Sequence, residues 1–273
     1  MLISNNNLIS LPSSFSLLSK LINLNVSNNN FWYFPDVILS LDSLQQLGVS
    51  WCWLSDFPTK LSKLSNLSGL DISYNNISSI KVPSWLFNHI ILFDASNNQI
   101  EEFPSFLLEQ KKLEDLNLSF NTMKVLPSDI WSMEELEYLN LSSNKIETIP
   151  VSLFNIGKLR ELNLSNNVLV YLPEFVYEDD DIVRKEINLS WNLLSRLPLG
   201  FWNWKFISDL DISDNLFFEA ESLLPKEDFN KTLFNGLKML DISNNPCSQS
   251  EYRKILHFIE LNHKYHVDVV FKY

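Results

Sequence analysis

A 23-residue period runs through this sequence, and a chain built that way folds by stacking its copies against one another. The pattern L-x-x-L-x-L-S-x-N appears as Leu113-Glu-Asp-Leu-Asn-Leu-Ser-Phe-Asn121 and returns in register at residues 136–144 and 159–167. Its last position falls on Asn6, Asn29, Cys52, Asn75, Asn98, Asn121, Asn144, Asn167, Asn192, Asn215 and Asn245, which makes eleven repeats. The gap is 23 residues except 25 before Asn192 and 30 before Asn245, so insertions are expected at 177–182 and around 218–235.

Leucines three and then two positions apart predict a short strand with one face inward. Six residues past most ladder positions stands a proline, as at Pro12, Pro35, Pro58, Pro104, Pro127, Pro150, Pro173 and Pro198, while the fourth repeat is stretched to Pro83. With φ fixed and no N–H to donate, each marks a chain reversal. One repeat cannot bury its own apolar face, so neighbours must stack into a parallel sheet with a continuous filling behind it. The Asn column is structural in this reading, because an amide both donates and accepts and can satisfy buried turn groups. The serine two positions earlier recurs in all eleven repeats and is likewise a scaffold column.

In these motifs the chain resembles the leucine-rich repeat family over essentially its whole length. The resemblance implies an α/β fold: a curved right-handed solenoid with a parallel sheet on its concave face and irregular or short helical convex segments. Residues 1–247 are assigned to the solenoid and 248–273 to a C-terminal helix–strand cap, from the Ser248-x-x-Glu251 capping box, the helical spacing of Tyr252, Ile255, Leu256 and Ile259, and the run Val267-Asp-Val-Val-Phe271. The repeat length and the recurring L-P-x-x-[ILVF] most resemble the intracellular Ras-group scaffold type. That implies a non-catalytic module of cytoplasmic signal transduction that binds proteins or peptides, with a small GTPase among the partners. The alternative is the regulatory region of a larger kinase or 2C-class phosphatase. It is motivated by the start of the chain inside a repeat, which leaves Leu8 and Leu11 uncovered and predicts either lost upstream residues or pairing with another chain. An extracellular receptor ectodomain is a third reading; it calls for a signal peptide and cysteine-rich caps, and the sequence shows neither.

Charge narrows the partners. The 21 basic and 33 acidic residues give a net charge of −12, which opposes nucleic-acid backbones and anionic membranes and favours basic partners. Residues 1–100 carry five acids against four bases, whereas residues 101–273 carry 28 against 17. No apolar run approaches the ~20 residues of a membrane span, and the first residues carry no basic segment. Cys52 and Cys247 stand eight repeats apart, roughly 40 Å at ~4.8 Å per strand, so no bridge joins them. Extracellular members of the family it resembles usually carry cysteine clusters at their caps, and the lack of these in the sequence implies a reducing compartment. The N-x-[ST] matches at Asn25, Asn117, Asn140 and Asn163 fall out of the repeat itself.

Signatures of catalysis are missing from the sequence: the five glycines form no phosphate loop or dinucleotide fingerprint, and there is no H-E-x-x-H or C-x-x-C pair. No cofactor or metal is expected. His263 and His266 read as cap residues, and Glu178-Asp179-Asp180-Asp181 lacks the alternation of a calcium loop and reads as a solvated bulge.

Recognition residues can be picked by strand alternation. The outward pairs are Asn23/Asn25, Gln46/Gly48, Gly69/Asp71, Leu92/Asp94, Asp115/Asn117, Tyr138/Asn140, Glu161/Asn163, Glu186/Asn188, Asp209/Asp211 and Met239/Asp241. Just before the ladder, Trp51, Tyr74, Phe120 and Trp191 stand where other repeats carry Asn, Ser or Asp. Large rings at otherwise small polar positions suit contact anchors. The predicted concave site is therefore Trp51, Asp71, Tyr74, Asp94, Asp115, Phe120, Tyr138, Glu161, Glu186, Trp191, Asp209 and Asp211. A second stripe, Phe87, Trp131, Phe154, Tyr177 and Trp202, is expected to pack as an outer apolar spine.

Overall fold

The computed structural model describes residues 1–83, 89–174, 184–198, 200–203, 207–224, 236–262 and 266–272. Phe87, Tyr177, the acidic run at 178–181, the insertion at 177–182, much of the second insertion and His263 lie outside the described residues. The chain forms two compact units, Met1–Met123 with Ser132–Tyr138 and Lys124–Trp131 with Leu139–Tyr273.

From the second repeat on, each contributes a short strand, the first making only an isolated bridge from Leu2 to Asn25, and strands follow one another in chain order. In the first unit these are β1 (Asn23–Asn25), β2 (Gln46–Gly48), β3 (Gly69–Asp71), β4 (Leu92–Asp94) and β5 (Asp115–Asn117). All pair in parallel, and Leu24, Leu47, Leu70, Phe93 and Leu116 are in register. After β6 (Tyr138–Asn140), the second unit holds β7 (Glu161–Asn163), β8 (Lys185–Asn188), β9 (Ile207–Asp211), β10 (Met239–Asp241) and β11 (Asp268–Val270), again parallel. The leucine-rich-repeat solenoid architecture, of the α/β class, is the observed one.

The proline rule has a direct local cause. Pro12, Pro35, Pro58, Pro104 and Pro150 hold φ between −68° and −74°, and their carbonyls accept the N–H three residues on, from Phe15, Ile38, Leu61, Leu107 and Leu153. Each proline thus opens a short 3-10 turn with no N–H left stranded. The turns bury one or more apolar residues, among them Phe15, Ile38, Leu61, Leu107 and Leu153, against the inward leucines.

The asparagine ladder ties repeat to repeat. The Asn75 Nδ2 donates to the carbonyls of Val49, Ile72 and Ser73 at 2.9, 3.0 and 3.1 Å, and its Oδ1 accepts from the N–H groups of Cys52 and Leu54. Asn98, Asn167 and Asn215 repeat the arrangement, reaching back 26 residues to Ile72, Leu141 and Leu189. These groups lie in the turn after each strand; the Ser73 carbonyl also accepts the Trp51 N–H at 3.1 Å, while the Val49 and Ile72 carbonyls take the ladder amide. Cys52 fills the same slot with a thiol that points at the carbonyls of Ser50 (3.3 Å) and Val26 (3.6 Å). Burial pushes this thiol up to about 11, and Cys247 is also buried, free and shifted up by desolvation and by Glu251.

At the far end, α1 (Gln249–Asn262) buries Ile255 and Ile259, and Tyr252 stacks on Phe271 with centroids 3.9 Å apart. Half of the predicted capping box is made: Glu251 N–H donates to Ser248 Oγ at 3.3 Å, while the Glu251 carboxylate accepts from Ala220 N–H and Lys254 Nζ. The outer aromatic stripe divides. Phe154 and Trp202 are buried, the latter donating Nε1–H to Leu223, whereas Trp131 stays half exposed to solvent.

Replacing Asn75 by Ala strands several buried groups at about 1–3 kcal/mol each, so a loss of about 3 kcal/mol is expected in urea unfolding. Cys52→Asn supplies the amide the other repeats use and is expected to raise stability by about 1 kcal/mol in the same measurement.

Candidate recognition face

The outward strand positions divide into two columns with different duties. In the second column, Oδ1 of Asp71, Asp94, Asn117, Asn140, Asn163, Asn188, Asp211 and Asp241 accepts the N–H of the serine two residues on, at 2.8–3.1 Å. Asp71 and Asp211 also take that serine's hydroxyl at 2.7 Å. This is why Asn or Asp recurs there: the side chain closes the turn, as an Asx turn does. One oxygen of Asp71, Asp94 and Asp211 is therefore committed to the scaffold, a role that reading the column purely as a contact surface overlooks. Gly48 breaks the column, and Ser50 N–H turns instead to Ser27 Oγ at 3.1 Å.

In the first unit this leaves an open trough of about 390 Å³ over β1–β5, lined by Asn25, Gln46, Gly48, Gly69, Asp71, Leu92, Asp94 and Asp115 among others. The Gln46 side chain lies across Gly69, where a Cβ would meet its Oε1 at 1.9 Å, so a bulkier residue there would force Gln46 aside. Three carboxylates stand on one side. Burial lifts Asp94 above the usual carboxylate range despite its hydrogen bonds from Ser96 and Asn117, with Asp71 adding to the rise; burial and then Asp94 do the same to Asp115. No Lys, Arg or His side chain lines the trough. In the second unit Glu161, Glu186, Asp209 and Asp211 surround a smaller hollow of about 240 Å³ together with Asn163, Asn188 and Met239. Tyr138 is partly exposed on β6.

The ring residues sit where the backbone is unusual. The residue before the ladder has φ between 51° and 60° in all eleven repeats. That left-handed conformation costs an ordinary L-residue about 1–2 kcal/mol, and Asn and Asp tolerate it best. Asn side chains in the column also donate sideways to the preceding repeat, as Asn28 does to Asn5 (2.8 Å) and Asn166 to Ser143 (3.0 Å). Trp51 and Tyr74 substitute a ring stack for that bond, with centroids 4.2 Å apart and planes 12° from parallel. Phe120 and Trp191 are 55% and 62% exposed, and among the described residues no ring stacks on either.

Three further rings belong to the same rim and are not among the predicted residues: Trp32, Tyr33 and Trp53. Trp32 and Trp53 stack at 6.1 Å and also have positive φ, 46° and 62°. The signal was present in the sequence, since Trp53 stands in a column with Asn7, Asn30 and Asn76, and Trp32 in one with Ser55 and Ser78. The loop geometry traces to Cys52. A thiol offers no amide oxygen to the preceding repeat; the Trp32 N–H donates to the Cys52 backbone carbonyl (3.2 Å) and Tyr33 N–H turns back to Phe31.

Residues 93–146 and 111–169 match the family model described as leucine rich repeat. A leucine-rich-repeat protein of Leptospira interrogans is similar over 97% of this chain and 64% of its own, at 26% identity and a TM-score of 0.83. These matches support the leucine-rich repeat family. The same fold, at 24% identity and a TM-score of 0.69, appears in the ectodomain of an Arabidopsis thaliana membrane receptor kinase solved with Casparian strip integrity factor 2, covering 96% of this chain and 31% of that one. A plant peptide hormone receptor solved with RGF2 matches at 22% identity and a TM-score of 0.64, over 96% of this chain and 46% of its own. This chain thus spans about two thirds or less of each of these leucine-rich-repeat proteins. The search of curated proteins returned no match. Among the described residues no helix is long and apolar enough to cross a membrane, and no group of His, Cys, Asp and Glu is arranged to hold a metal.

Two substitutions test the physics of the face. Because burial raises the Asp115 pKa above its unfolded value, the folded state holds that proton more tightly, and stability falls as pH rises through the folded pKa. Asp115→Asn is expected to raise the melting temperature at pH 7 and to leave it nearly unchanged at pH 3.5. Phe120→Asn relieves a bulky residue in the left-handed region and is expected to add about 1 kcal/mol in urea unfolding.

Proposed function

We propose that this protein is a non-catalytic recognition module of intracellular signalling that takes a basic protein or peptide segment on the exposed face of its sheet. The observation that carries the reading is the trough over β1–β5, where Asp71, Asp94 and Asp115 crowd together without a basic side chain and the Trp51–Tyr74 stack stands at the end of the same strands. Carboxylates that repel one another gain when a cation arrives between them, and a rigid ring pair buries area with little entropy to lose. The second unit offers a like-charged hollow at Glu161, Glu186, Asp209 and Asp211, with Trp191 after β8. Two proteins of the same fold were solved with the partners named above, which supports a recognition role for the fold. Two buried free thiols support a reducing compartment, the cytoplasm. The likeness to Ras-group scaffolds makes a small GTPase with a basic face one partner to test.

Affinity capture from cell extract, with wild type beside Trp51→Ala/Tyr74→Ala and Asp71→Asn/Asp94→Asn, tests this. The Asn pair keeps the turn-closing oxygen and removes only charge. Both variants are expected to lose the partners that wild type retains, and wild-type capture is expected to weaken as salt rises. Retention of every partner by both variants contradicts the assignment of the face.

A further inference from the structure

The aromatic rim of the first unit goes beyond what the trough needs. Trp32, Tyr33, Trp51, Trp53 and Tyr74 are between 42% and 79% exposed, and four of the five hold positive φ. They frame two shallow grooves. One, of about 200 Å³, lies among Trp51, Trp53, Tyr74 and the amides of Asn76 and Asn97. The other, of about 230 Å³, runs between Trp32–Tyr33 and Phe57–Pro58, bordered by Asp36, Asp56 and Lys60. Lys60 is taken by Asp36 at 2.9 Å, while Asp56 accepts only from Ser55 Oγ and has no basic partner among the described residues. Carboxylates therefore stand beside the rim: Asp56 borders the second groove, and Asp71, three residues before Tyr74, lines the trough.

The shape selects among peptide conformations. An α-helix is about 10 Å across and needs one continuous groove, which two hollows parted by a ring stack do not provide. Strand addition needs free backbone edges, and these grooves are walled by side chains. A left-handed extended segment fits: its prolines are pre-ordered, its rings pack between aromatic walls, and its free carbonyls suit amide donors such as those of Asn76 and Asn97. Its three-residue turn covers ~9 Å, enough to pass from a groove in one repeat to a groove in the next at ~4.8 Å per strand. We propose that the rim formed by Trp32, Tyr33, Trp51, Trp53 and Tyr74 docks an extended, proline-containing segment of a basic protein, with flanking arginine or lysine facing Asp56 and Asp71. The inference rests on the peptide-recognition reading above and names the class of segment.

The probe is an array of synthetic dodecapeptides with a Pro-x-x-Pro core and Arg at either end, beside matched sets in which each Pro becomes Ala or each Arg becomes Gln. The full chain is applied to it, and the strongest peptide is then titrated by tryptophan fluorescence. Binding at least 10-fold tighter than to the Ala set, with a shift of emission to shorter wavelength, is expected. Trp53→Asn and Trp32→Ser place residues that other repeats carry at those positions; each is expected to keep the melting curve and to weaken binding at least 10-fold. Equal binding to the Ala set, an array with no bound peptide, or unchanged affinity in both Trp variants overturns the proposal. Loss in Asp71→Asn/Asp94→Asn with retention in both Trp variants discards the rim and keeps the sheet face; retention in all of them discards both. Trp53-dependent binding to neutral oligosaccharides in place of the peptides also overturns it.

Discussion

A buried carboxamide that serves two repeats at once is the interaction on which this structure depends. From Asn29 on, a ladder Asn gathers carbonyls from its own turn and from the repeat before it, and returns an acceptor to N–H groups of that earlier repeat, as at Asn75. Apolar stacking alone would let neighbouring repeats slide, since one leucine layer resembles the next. The amide opposes sliding, because a shift of one residue would break its three bonds to the earlier repeat, those with the Val49 carbonyl and the Cys52 and Leu54 N–H groups.

The ladder also dictates what surrounds it. To aim its amide inward, the chain must pass through the left-handed region one residue earlier, and it does so in every repeat. The preceding side chain is then thrown outward, onto the rim beyond the strand ends. A fold made only for stability would keep Asn in that column throughout. Rings at Trp51, Tyr74, Phe120 and Trp191 accept strain that Asn avoids, and strain held at exposed positions points to function.

The repeat, strand positions, ladder and proline turns were legible because each depends on residues close in sequence and recurs many times. That Trp51 and Tyr74 are neighbours was legible for the same reason: 23 residues in the chain is one layer in space. The Trp32–Trp53 stack was not, because it follows from a single departure, Cys52 in place of Asn, that re-routes one loop. Alternation placed Asp71, Asp94 and Asp211 correctly on the outward face, yet could not show that half of each carboxylate closes a turn. The outer stripe divided for a related reason: a period shows which residues share a column, but Phe154 and Trp202 are covered while Trp131 is not, according to what each repeat packs on its flank.

Amide hydrogen exchange, followed across a denaturant series, addresses the central claim most directly. The N–H groups of Leu8, Leu54, Ile77, Ile100, Ile146, Leu169 and Leu194 donate to ladder oxygens and lie outside the strands. If the ladder holds the stack together, they exchange only when a whole unit opens, with the same denaturant dependence as the strand amides of Leu70 or Leu116. Fast, denaturant-independent exchange at these positions, beside protected strands, would contradict the account.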